Sequence, residues 1–148
     1  MNRTVLFFLL LGLLPLFAAE SEFQRPTIHV GVVVSDLDAS MKFYTKVIGM
    51  KNTGEFDVNE DFGKRSGLSN GMPFHVEVLQ LEDGEEATQW KLMNFASSKA
   101  QKSDFIQDQT GMQYITIHVK DLNPFLERIN RHQIKLLGDT PTPLSNGQ

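Results

Sequence analysis

The sequence predicts an α+β fold of paired β-α-β-β-β modules, the second of them truncated at the C-terminus. Three observations carry this reading. An apolar, β-branched run at residues 27–34 leads straight into an amphipathic helical pattern. Two apolar stretches, 73–81 and 87–95, flank an Asp83-Gly84 turn signal. The opening order of strand, aspartate and helix then returns from Tyr114 onward.

Residues 27–34 are almost wholly apolar, as expected of a strand buried on both faces. Asp36 and Asp38 then supply N-cap chemistry. Leu37, Met41, Tyr44 and Ile48 recur at helical spacing and share one face. Gly49 stands just past the last of them, where a left-handed C-cap belongs. Residues 50–56 read as the second strand, and the polar, glycine-bearing stretch 57–73 reads as a loop. Residues 73–81 and 87–95 make the third and fourth strands of a hairpin. The first module therefore spans 27–98, and a polar linker follows at 99–112.

Tyr114 to Leu122 repeats the segment His29 to Leu37. Val119 falls on Val34, Asp121 on Asp36 and Leu122 on Leu37. A helix follows both copies, here with Leu122, Phe125, Leu126 and Ile129 on its inner face. Residues 134–137 offer one short strand before Pro141 and Pro143 interrupt. The partial second module, 113–148, is thus two strands short. Truncation explains this first; strands supplied by a partner chain are the second explanation.

Residues 1–21 read as a secretory signal peptide, which predicts a secreted or periplasmic protein. Arg3 provides the positive start, and 5–17 is apolar throughout. That run is shorter than the roughly 20 residues a bilayer span takes. A cut after Ala19 leaves bulky Phe17 three residues back, so an uncleaved membrane anchor is the alternative. The chain has no cysteine, which excludes disulfides, thiolate metal sites and a thiol nucleophile. A net charge of −4 without a basic stripe excludes nucleic-acid binding through phosphate contacts.

Three stretches, HVGVVVSDLDASMKFYTKVIGM (29–50), WKLMNFAS (90–97) and YITIHVKDL (114–122), resemble the vicinal oxygen chelate superfamily. That superfamily includes glyoxalase I, bleomycin- and fosfomycin-resistance proteins, extradiol dioxygenases and methylmalonyl-CoA epimerase. The resemblance covers essentially everything after residue 21. It implies paired βαβββ modules of the glyoxalase/bleomycin-resistance type, folded into an open cup. It also implies divalent-metal ligands on the first and fourth strands of each module. The ion would hold two adjacent oxygens and stabilise an enolate or oxyanion, a Lewis-acid role.

Carried onto this chain, the first ligand position is His29. The fourth-strand position, a glutamate in the family, falls on Lys91, whose ammonium has no lone pair and repels a cation. The next falls on Tyr114, a ligand only after losing a proton of usual pKa about 10. The last lies past Gln148. His118 shares a face with Tyr114, about 13 Å further along at roughly 3.3 Å per residue. His75 and Glu77 share a face of the third strand and join the site if that face lines the cup. A metal at His29 (Zn, Fe, Mn, Ni or Mg) is one reading; a histidine hydrogen-bonded at the base of a metal-free cup is the preferred one.

Lys91 then binds an anionic ligand group, carboxylate or phosphate, or forms a salt bridge to Glu77. Tyr114 stacks on the ligand or packs in the core. The ligand-binding candidates are accordingly Lys91, Tyr114, His118 and Glu77. Asp57 to Gly63 resembles the start of a calcium loop, but its glycine is one place late. Leu68 also stands where a bidentate glutamate belongs, so a solvated acidic loop is expected.

Three functions fit these residues. The first is an exported glyoxalase-like protein whose cup binds a small polar or anionic molecule without a metal. The second is a metal-dependent enzyme built around His29, a lyase or isomerase like lactoylglutathione lyase or an extradiol-type dioxygenase. The third is a non-enzymatic module that forms a homodimer through exposed sheet edges.

Overall fold

A computed structural model describes residues 22–97, 99, 105–138 and 140–142; the expected signal peptide lies outside them. Strand β1 (Val30–Val34) leads into helix α1 (Leu37–Lys42), which continues as a π-helical turn over Phe43–Ile48. The Asp36 carboxylate starts the helix by accepting the Ala39 N–H at 2.9 Å. Gly49 ends it at φ 93°, a left-handed conformation that a Cβ disfavours. Then come β2 (Lys51–Val58), α2 (Glu60–Ser66), β3 (Phe74–Gln80), β4 (Gln89–Asn94) and α3 (Asn123–Arg131).

The β-α-β-β-β order of the first module is therefore present, with α2 inserted where a loop was expected. Its determinants are local. Asn59 accepts the Phe62 N–H at 2.9 Å, Glu60–Lys64 and Asp61–Arg65 pair one turn apart, and Gly67 closes the helix at φ 73°. No apolar stripe announces this helix. Caps and charge pairs define it instead.

The sheet order is β1-β4-β3-β2, with β1 parallel to β4 and the other pairs antiparallel. One face carries Val34, Leu79, Trp90 and Leu92 beneath Leu37, Met41, Tyr44 and Ile48, the four residues whose spacing put them on one helical face. Leu79 and Leu92 are completely buried. Burial pushes the Tyr44 phenol above its ordinary value of 10.0, and the Trp90 indole beside it offsets part of the rise. The indole N–H does not reach hydrogen-bond geometry among the described residues, so desolvation dominates. The opposite face holds Val58, Phe74, Val76 and Val78 with Met93 and Phe95.

The second half docks on the helix side of this sheet. Ile117 packs against the first cluster. Arg128 donates from Nε to the Val47 carbonyl at 2.7 Å and from Nη2 to that of Ile48 at 3.4 Å. Asp121 accepts the Asn123 N–H at 2.9 Å one residue ahead of the N-cap Leu122, which has no side-chain cap, so the repeated aspartate turns the chain into the helix without capping it as Asp36 does. Residues 113–119 and 134–137, expected as strands, have no ladder partner among the described residues. A strand needs a neighbour for its N–H and C=O groups, and none is described here. No helix among the described residues is long and apolar enough to cross a membrane.

Gly49→Ala should destabilise the chain by about 1–2 kcal/mol, the cost of a left-handed residue with a Cβ. Asp36→Ala should cost about 1 kcal/mol through the lost cap. Urea unfolding with an unchanged m-value checks both; a Gly49→Ala variant as stable as the parent contradicts the assignment.

Candidate functional site

Strand alternation assigns each sequence-selected residue to a face. Lys91 stands beside Gly31 in the parallel pair and faces Val78 across the hairpin, on the side away from α1. It is half-buried there and makes no ion pair among the described residues. Gly31 presents no side chain next to it. A Cβ at Gly31 would lie 2.9 Å from the Met93 methyl carbon, so the Met93 side chain lies over the glycine. His29 directly precedes β1, and alternation carries it to the same side. It is exposed, and no hydrogen bond ties it to a cup floor among the described residues.

The other candidates go elsewhere. Glu77 faces Leu92 and lies on the α1 side of the sheet. The register thus corrects the expected Lys91–Glu77 salt bridge, because the two side chains leave opposite faces. Tyr114 is 72% exposed in the unpaired stretch. His118 borders a depression of about 520 Å³ with Lys46, Lys120, Asp121 and Arg128. No hydrogen bond or ring contact among the described residues brings Tyr114 or His118 to Lys91.

On the Lys91 side the donors do not suit the divalent ion that the resemblance implies. Gly31, Val33, Val78, Lys91 and Met93 provide no carboxylate, and the ammonium repels a cation. The acidic stretch at 57–63 is no calcium loop either. Asp57 turns to His75, Asn59 caps α2, and Glu60 and Asp61 hold Lys64 and Arg65.

The groups that the structure does gather lie on the α1 side, toward the β2 edge. Asp57 faces His75, and Glu55 faces Glu77, across the β2–β3 ladder. His75 Nδ1 is 2.8 Å from Asp57 Oδ1. Its Nε2 is 3.4 Å from Glu77 Oε1 and 3.8 Å from Glu55 Oε2. The other Glu77 oxygen accepts Asn52 Nδ2 at 2.7 Å. Sequence reasoning missed Glu55, and read Asp57 only as part of an acidic loop, because only the register of β2 on β3 aligns them with Glu77 and His75. A bulge between Asn52 and Gly54 shifts that register.

The hydrogen bond to Asp57 raises the His75 pKa above 6.5, partial desolvation opposes it, and Glu77 adds to the rise. The charged imidazole therefore stabilises the fold below the unfolded-state value of about 6.5. That contribution is lost as the pH rises through the folded-state pKa. In chelator-containing buffer, NMR titration should place His75 above 6.5, and Asp57→Asn should bring it back down. Titration at or below 6.5 in the parent chain contradicts the ion-pair geometry.

The sequence pattern of the Glyoxalase/Bleomycin resistance protein/Dioxygenase superfamily matches residues 28–148. No curated protein matches the chain. A glyoxalase family protein from Bacillus cereus superposes with a TM-score of 0.60 at 21% identity, over 85% of this chain and 83% of its own. The trypanothione-dependent glyoxalase I of Leishmania major superposes with a TM-score of 0.54 at 24% identity, over 74% of this chain and 67% of its own. At these identities the two structures speak for the fold alone. With the β-α-β-β-β module in place and the pattern spanning nearly all of the described chain, the protein belongs to the glyoxalase/bleomycin-resistance/dioxygenase superfamily.

Proposed function

We propose that this is an exported glyoxalase-like domain that binds a small anionic molecule on the Lys91 side of its sheet, without a divalent ion at His29. Lys91 carries the proposal. It is a half-buried lysine with no carboxylate partner among the described residues, at the position where the resemblance expects a glutamate ligand. A ligand carboxylate or phosphate supplies the partner that the ammonium lacks. Val78, across the hairpin, and Met93, two residues along β4, are apolar neighbours of Lys91 on this face, and small-molecule sites are mostly apolar with a few polar groups. His29 adds an imidazole on the same side. The metal-dependent reading around His29 loses support from the donor set. Export rests on the sequence of residues 1–21.

In chelator-containing buffer, inorganic phosphate or a small carboxylate at about ten times its Kd should raise the melting temperature by a few degrees. The stabilisation at that ratio is about 1.4 kcal/mol. Lys91→Met should remove the shift. An absent shift with every anion, or one that persists in Lys91→Met, overturns the proposal.

The β1 edge has no second strand neighbour among the described residues. That open edge supports a homodimer as the working form. Light scattering should return a dimer mass; monomer at every concentration removes this part of the reading.

A further inference from the structure

We propose that Glu55, His75 and Glu77 form a divalent-metal site on the α1 side of the sheet, with Asp57 orienting the imidazole. The three donor atoms lie within 4.8 Å of one another. A tetrahedral ion with bonds of about 2.0–2.2 Å holds its donors roughly 3.3–3.6 Å apart. The Nε2–Glu77 separation of 3.4 Å already matches. The Nε2–Glu55 separation of 3.8 Å closes with a small rotation of Glu55, whose side chain is 67% exposed and free to move.

The surrounding groups fix these donors in place. Asp57 at Nδ1 selects the tautomer whose Nε2 lone pair points at Glu55 and Glu77, the carboxylate–histidine–metal arrangement of known metal sites. Asn52 holds one Glu77 oxygen and leaves the other for the ion. Three protein donors leave a further coordination position for water or a ligand. A set of one imidazole and two carboxylates, without sulfur, selects ions such as Zn²⁺ or Mn²⁺.

Electrostatics supplies a second, independent argument. Glu55 and Glu77 stand directly opposite each other across the ladder, a like-charge pairing that destabilises a sheet. Asp57 adds a third carboxylate one pair along. No Lys or Arg nitrogen among the described residues lies within 4.0 Å of the three. The imidazole alone therefore stands between three anions, and a divalent cation that displaces its Nε2 proton lowers the net charge of the group from −2 to −1. The site opens to solvent at Glu55, whose side chain is 67% exposed.

This site and the Lys91 site lie on opposite faces, so each fails or survives without the other. The test is calorimetric titration of the chelator-treated chain with ZnCl₂, with bound metal counted by mass spectrometry. One ion per chain is expected. Binding should weaken at least tenfold, roughly, in His75→Ala and in Glu55→Gln, and about 10- to 100-fold in Asp57→Asn. His29→Ala and Lys91→Met should bind as the parent does. Glu55→Gln changes an exposed side chain, so its result stands even if His75→Ala fails to fold. No stoichiometric uptake, uptake that survives Glu55→Gln, or uptake abolished by His29→Ala overturns the proposal.

Discussion

The register of β3 between its two neighbours is the constraint on which the rest of the molecule depends. Pairing Leu79 with Trp90 and Glu77 with Leu92 sends these side chains toward α1. The same step sends Val76, Val78 and Lys91 the other way. A one-residue slip of β3 would expose Leu79, now wholly buried, and would turn Glu77 to the face that carries Lys91. The hydrophobic core thus enforces the separation of the two polar sites. Neither site needs contacts of its own to stay on its face.

That separation determines how the charges behave. Lys91 and Glu77 are neighbours in the hairpin, yet the sheet backbone lies between their side chains. On one side a single ammonium remains without a counter-ion among the described residues, and on the other three carboxylates share one imidazole. Had the two residues shared a face, one salt bridge would have answered both. Each excess of charge is instead left without a counter-charge among the described residues, and the anion and the cation proposed above would supply one each.

Much of the fold was legible because its determinants are periodic or local. Apolar stretches on either side of the Asp83-Gly84 turn marked β3 and β4, the spacing of Leu37, Met41, Tyr44 and Ile48 gave the helix face, and Asp36 and Gly49 marked its ends. Helix α2 escaped, since caps and charge pairs make it and no apolar stripe does. Residues 113–119 carry a strand's composition without a described neighbour to pair with, and composition alone cannot close a ladder. At the sites, the position of Lys91 could be read from the resemblance to the superfamily. The Glu55–Glu77 and Asp57–His75 pairs could not, because a bulged register between distant segments creates them.

Arg128 shows why the attachment of the second half was equally hidden. It recognises no side chain. Its guanidinium takes the carbonyls of Val47 and Ile48, which the end of the helix would otherwise leave to water. Phe125 supports the same guanidinium from below at 4.4 Å. A Cβ at Gly49 would stand 3.7 Å from Arg128 Nη2, an ordinary contact, so the glycine answers to its left-handed backbone and not to crowding by Arg128. A dock made to backbone carbonyls survives almost any change of the side chains around it. A repeat can therefore drift as far as YITIHVKDL has from HVGVVVSDL and still hold the same place against α1.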